Sequence, residues 1–248
     1  MSYTNPIVTG GGPSSQSIFE VTTSPREKVG TRGALPDGRV FYYASSKDAA
    51  AIPKGQLAMA EVIPAAQAND NPSAAAAVGA ESVSITLSSS QTHAADDFAQ
   101  GYLIVNDAAG EGETYSVKGS TAVAAGTAIT VTLNDPIRVA LTTSSEVTLM
   151  KNPWQHIDLA AAGHVHMAAG VPAVDIPIGS TDTQYAWVQT WGVCAGWDDA
   201  ATAIGAVLQS GTTAGQFEVG DGAAQPVGVQ LYTGVASEYY PKFLTIAP

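Results

Sequence analysis

Tyr185, Trp187, Gln189 and Trp191 alternate along one apolar run, so an extended chain would set all four on one face, with Ala186, Val188 and Thr190 on the other. Aromatic rings flanking an amide suit a sugar-stacking platform, and they equally suit a core or an intersubunit contact, where aromatics dominate. The core or contact reading is preferred, with Gln189 bonded to backbone. His164 and His166 would share a strand face at the spacing of a metal pair, with His156 eight residues upstream and no cysteine near. Two polar residues at an interface, whose charge at about pH 6 would tune assembly, is the reading adopted. Asp107, Glu111 and Glu113 surround Gly110 and Gly112 and offer oxygens to Ca²⁺, but not in the Asp-x-Asp-x-Asp-Gly order of a calcium loop. A solvated acidic turn is expected instead. Asp198 and Asp199 have the chemistry of an acid/base pair, yet adjacent carboxylates after Gly196 and Trp197 fit a capped or solvated turn. Cys194 is the sole cysteine, so no intramolecular disulfide forms and a buried free thiol is expected. With no Gly-x-Ser-x-Gly, Gly-x-x-x-x-Gly-Lys or His-Glu-x-x-His sequence, the chain is expected to be no enzyme and to carry no metal or cofactor.

The elements that must position these residues are strands. The 248 residues are 45% hydrophobic, enough for a core without disulfides or metal. Only 13% are charged, against about 25% in a typical globular chain, and Ala, Gly, Ser and Thr fill the difference, as suits close contact with other subunits. Residues 1–54 hold six basic and four acidic side chains, whereas the rest holds four basic and eighteen acidic ones. Such an acidic body is a poor partner for nucleic acid. The first 25 residues lack an apolar stretch, and no run of about 18 apolar residues occurs anywhere. A soluble chain with no secretion signal and no membrane partner is therefore expected.

Composition divides the chain into an extended N-terminal arm with a first strand (1–52), a linker with a short strand (53–79), a β-barrel-like domain (80–151) and a C-terminal β-sandwich or barrel (152–248). Ser82-Val83-Ser84-Ile85-Thr86-Leu87 alternates strictly, and four further short strands follow before residue 151 at a spacing that suits a barrel or sandwich. Six more are predicted over 173–178, 185–194, 206–208, 216–219, 226–232 and 240–246. The fold class is thus all-β.

Leu35-Pro36-Asp37-Gly38 is a strong turn sequence, followed by the alternating, aromatic-rich Arg39-Val40-Phe41-Tyr42-Tyr43. Together with Gly101-Tyr102-Leu103-Ile104-Val105, Gly110-Glu111-Gly112, Leu133-Asn134-Asp135-Pro136 and Tyr185-Ala186-Trp187-Val188-Gln189, this segment resembles the head-decoration (cement) proteins of tailed bacteriophages. The resemblance implies a non-enzymatic homotrimer on the outer capsid surface of the virion that bridges neighbouring major capsid subunits. The arm would reach across the lattice, with Arg26, Lys28, Arg32, Arg39, Phe41, Tyr43, Trp187 and Trp191 as the contact residues. The rival reading is a carbohydrate-binding or host-adhesion β-sandwich using Trp187, Trp191 and Trp197. Exposed tryptophans would favour it.

Overall fold

A computed structural model describes residues 4–46, 50–163, 167–179, 182–222 and 224–248. The chain is all-β. It divides into two compact units, Met1–Glu61 with Pro153–Pro248, and Val62–Asn152 inserted between them. In chain order the strands are β1 (Ile7–Val8), β2 (Arg32–Ala34), β3 (Val40–Ser46) and β4 (Ala58–Met59). The inserted unit carries β5 (Asn71–Pro72), β6 (Ser82–His93), β7 (Tyr102–Asp107), β8 (Thr114–Ser120), β9 (Val123–Leu133) and β10 (Glu146–Met150). The first unit resumes with β11 (Asp158–Leu159), β12 (Ala168–Pro172), β13 (Gln184–Trp197), β14 (Val207–Ser210), β15 (Phe217–Val219), β16 (Gly228–Gln230) and β17 (Tyr239–Thr245).

In the inserted unit the six strands follow the order β10-β7-β8-β9-β6-β5 and form a nearly closed barrel. Strict alternation in β6 sends Val83, Ile85 and Leu87 inward, where they meet Leu103, Val105, Tyr115, Val117, Ile129 and Val131. Asp70 and Val147 exchange backbone hydrogen bonds of 2.8 and 2.7 Å, drawing the two ends of the sheet together. The linker expected over 53–79 is not a linker in the structure. Its second part pairs with the barrel through β5 and a bridge from Ala76 to Leu141, and its first part supplies β4 to the other unit. Backbone pairing, which composition does not report, ties both parts down.

The other unit is built around β13, which pairs with β3 on one side and β17 on the other. Residues 4–35 are not an extended arm. They fold back on this unit: β1 and β2 extend its sheet, and Ile18, fully buried, joins Leu35, Phe41, Tyr43 and Trp187 in one cluster. Gln16 locks the fold-back. Its Nε2 donates to the carbonyls of Glu20 and Tyr185, each at 2.9 Å, and its Oε1 accepts from the Tyr43 hydroxyl at 2.6 Å. The Trp187 indole donates to the Gln16 carbonyl at 3.2 Å. The opposite face of β3 and β13 is covered by Ile52, Ala58, Ile157, Ala169 and Ile176 against Ala44, Ala186 and Val188. Being buried on both faces, the first half of β13 is apolar at successive positions rather than alternate ones.

The predicted strand over 173–178 is replaced by β12, five residues earlier, and by a single bridge between Ile176 and Ile52. The other departure is a bulge. Gln189 faces Phe41 and Trp191 faces Val40, so Thr190 is the extra residue, and the ladder resumes with Trp191 on the side opposite Trp187. The Thr190 hydroxyl holds the bulge by donating 2.6 Å to the Ala247 carbonyl.

All four tryptophans, Trp154, Trp187, Trp191 and Trp197, belong to this unit, so indole fluorescence reads its unfolding alone. Gln16→Ala is expected to destabilise it by about 2–3 kcal/mol, because two carbonyls and the Tyr43 hydroxyl lose a buried partner. Ile18→Ala should cost about 2–5 kcal/mol. Urea denaturation followed by indole emission checks both, and losses near zero would show that the N-terminal residues do not cover β3 and β13.

Candidate interaction surface

The turn and the aromatic strand, about 150 residues apart in sequence, are neighbours in space. Leu35-Pro36-Asp37-Gly38 closes the hairpin between β2 and β3: Gly38 N–H donates to the Leu35 carbonyl at 3.0 Å, and Leu35 N–H to the Arg39 carbonyl at 2.9 Å. The turn therefore joins two strands of the same sheet. Asp37 accepts from Arg39 twice, from the backbone N–H at 3.1 Å and from Nε at 2.8 Å. Slight burial alone would raise its carboxyl, but these hydrogen bonds and the guanidinium charge outweigh that and hold it below the ordinary carboxylate range.

The bulge at Thr190 brings Trp191 beside this turn. Trp191 meets Phe243 edge to face, with centroids 5.5 Å apart, and Val193, half exposed, continues the face. Gly192 has φ of +90°, and a Cβ there would lie 3.1 Å from Arg39 Cγ, so glycine lets the two strands close against each other. Asp37, Gly38, Arg39, Trp191, Gly192, Val193 and Phe243 line a shallow cleft of about 600 Å³. It combines an aromatic floor, an exposed aliphatic group and a guanidinium held in place by a carboxylate, the composition of an interface centre.

The other expected contact residues are dispersed. Arg26 and Lys28 are exposed on the loop before β2, and Arg32 Nε donates to the Pro248 main-chain oxygen at 3.0 Å. Phe41, Tyr43 and Trp187 are fully buried, so they cannot touch a partner; the returning N-terminal residues cover them. Gln189 bonds backbone, donating 3.0 Å to the carbonyls of both Trp191 and Val193.

The chemistry-bearing residues elsewhere do not assemble a centre. Glu113 is paired with Arg138, whose Nε donates to it at 2.7 Å, and Asp107 accepts from the Ala108 N–H. His156 lies 3.4 Å from Glu61, and His164 and His166 fall outside the described residues. Among the described residues no group of three His, Cys, Asp or Glu is placed to hold a metal ion. Burial pushes the Cys194 thiol up to about 12 against the opposing charges of Lys242 and Arg39, so it stays protonated at neutral pH. Asp198 and Asp199 diverge and form no acid/base pair. Asp199 accepts from the Thr212 hydroxyl at 2.8 Å and the Thr213 N–H at 3.1 Å, while Asp198 turns inward to Lys242.

Lys242 is the residue that sequence reading missed. Strand parity held the signal, because Lys242 and Leu244 must share a face and Leu244 is in the core. Phe243 and Val193, across the ladder from each other, were legible by the same parity only once β13 and β17 were known to pair. Compared with known proteins, the chain matches no family model, no curated protein and no solved structure.

With its carboxyl depressed, Asp37 contributes stability that is present above its ordinary value of 3.8 and is lost as pH falls through its folded value. A carbon-detected NMR titration is expected to place the Asp37 midpoint below 3.8, and Arg39→Gln to raise it. A midpoint unmoved by that substitution would mean that Arg39 is not held against the turn.

Proposed function

We propose that this chain is a non-enzymatic capsid decoration protein that binds the outer surface of a tailed-bacteriophage head as a homotrimer and bridges neighbouring major capsid subunits. The observation that carries the reading is the pairing of β3 with β13. The two most specific segments of the resemblance come from distant parts of the chain: the strand that follows the Leu35-Pro36-Asp37-Gly38 turn pairs from Val40 to Ser46 with the Tyr185-Ala186-Trp187-Val188-Gln189 strand, and the turn and Trp191 meet at the end of that ladder in the exposed cleft. Residues that look alike for a shared reason are expected to be residues that act together.

The mechanism is mechanical. A thin shell loaded by packed DNA fails at its subunit junctions, and a protein seated across a junction adds buried area there. About 1,000 Å² of apolar burial per copy contributes on the order of 10 kcal/mol once ordering costs are subtracted. Because residues 4–35 are folded onto their own unit, the bridging is assigned to folded surfaces, with Trp191, Val193 and Phe243 as anchors and Arg39 as the charged contact to an acidic neighbour. The aromatic row on which the sugar-binding alternative rested is not one exposed face. Trp187 is fully buried, Trp191 points to the other side of the sheet, and Trp197 packs edge-on against Tyr239 with centroids 4.6 Å apart.

Purified protein is expected to co-sediment with expanded capsids that lack a decoration protein, saturating at a multiple of three copies per lattice repeat. Trp191→Ala and Arg39→Glu should each weaken this at least tenfold, as central interface truncations do. Absence of binding by the unaltered protein would overturn the function, and full binding by both variants would move the contact elsewhere.

A further inference from the structure

Asp198 directly follows β13 and Lys242 stands in the middle of β17, and neither side chain reaches solvent. Lys242 Nζ donates to Asp198 Oδ1 at 2.7 Å and to Gln230 Oε1 at 2.9 Å. Gln230 Nε2 in turn donates to Asp198 Oδ2 at 2.9 Å. The Phe217 ring covers the amine, its centroid 5.2 Å from Nζ, and Leu208 and Leu244 lie in the same apolar cluster as Phe217. Two glycines make the room. A Cβ on Gly196 would fall 2.5 Å from Lys242 Cδ, and one on Gly234 only 2.2 Å from Asp198 Oδ2.

This is an unusual place for two charges. Burial pushes the Lys242 ammonium below the ordinary lysine range, against the hydrogen bond and charge of Asp198 that hold it up. Attack on carbon needs the amine without its extra proton, and the 2.7 Å hydrogen bond from Nζ to Oδ1 is the path by which that proton passes to the oxygen that will leave. A desolvated lysine amine in an apolar pocket is a nucleophile. A nitrogen hydrogen-bonded to a carboxyl oxygen sits about 3.5 Å from the carboxyl carbon, within reacting distance once Nζ swings out of the carboxyl plane to approach the carbon from its face. Gln230 grips both partners: its carbonyl orients Nζ, and its N–H points at Oδ2, where negative charge develops as nitrogen adds to carbon.

We infer that Lys242 and Asp198 condense into an amide, an intramolecular isopeptide bond between β17 and the end of β13. The Nζ–Cγ bond forms and the Cγ–Oδ1 bond breaks. Oδ1 departs as water carrying two of the three ammonium protons, Oδ2 remains as the amide carbonyl on the Gln230 N–H, and the third proton stays on nitrogen. Nothing is oxidised or reduced, and no other reactant is needed. The bond would brace the two loops above it, which Thr202 and Gly234 already join by exchanging backbone hydrogen bonds of 3.2 and 2.8 Å.

Electrospray mass measurement of the denatured full chain tests this without any substitution. The expected mass is about 18 Da below that of the sequence, one water, with fragment spectra assigning the deficit to a branched peptide joining Lys242 to Asp198. Lys242→Arg keeps the charge but not the nucleophile and should restore the full mass. A full mass in the unaltered protein, or a deficit mapped to an Asp-Gly succinimide such as Asp37-Gly38 or Asp221-Gly222, would overturn the inference. Should Lys242→Arg fail to fold, the unaltered protein's mass and fragment map still decide.

Discussion

Burial of both faces of β13 is the constraint on which the larger unit depends. A central strand in an antiparallel sheet ordinarily keeps one face for water, and then alternates. Here Trp187, Val188, Gln189 and Thr190 are buried in succession, which is stable only if something covers the side that a simple sandwich leaves open. Residues 4–35 do so with few apolar groups, Ile18 and Leu35 foremost, and the rest of the cover is polar backbone that must be hydrogen-bonded. Gln16 meets that demand by binding four groups with its own two amide atoms, the Glu20 carbonyl and Thr22 hydroxyl nearby and the Tyr43 hydroxyl and Tyr185 carbonyl from distant segments.

That arrangement explains what was legible in the sequence and what was not. Ser82 to Leu87 alternates because the barrel strand faces its own core on one side and solvent on the other, so period and burial agree residue by residue. Leu35 to Gly38 was legible as a turn because proline and glycine set its backbone locally. The N-terminal segment reads as an uncovered arm because its apolar residues are sparse and part of its stability is borrowed from β13, more than a hundred residues away. Likewise the bulge at Thr190 leaves no compositional mark, yet it decides that Trp191 faces away from Trp187 and toward the turn. Lys242 is hidden for a further reason: a lysine in a strand is ordinarily read as facing water, and only its shared parity with Leu244 argues otherwise.

The two polar features of this unit do different physical work. Asp37 and Arg39 sit at the surface, where solvent screens them and their value lies in holding a guanidinium in a defined position. Asp198 and Lys242 are fully buried, where desolvation is severe and an incomplete set of hydrogen bonds would be strongly destabilising. Gln230 completes that set, and the glycines at 196 and 234 give it space. Condensation of the pair removes both charges at once and leaves a covalent tie between adjacent strands. For a protein whose proposed task is to hold a loaded shell together, a tie within its own sheet resists the same kind of load.

The proposed docking face lies where the β2–β3 turn meets the bulge of β13. Hydrogen exchange measured on the free protein and on the same protein bound to capsids tests this most directly. Slowed exchange of the backbone amides at 37–39 and 191–193, with 198–206 unchanged, is the predicted result. Protection confined to other segments, or none at all on mixing with capsids, would contradict it.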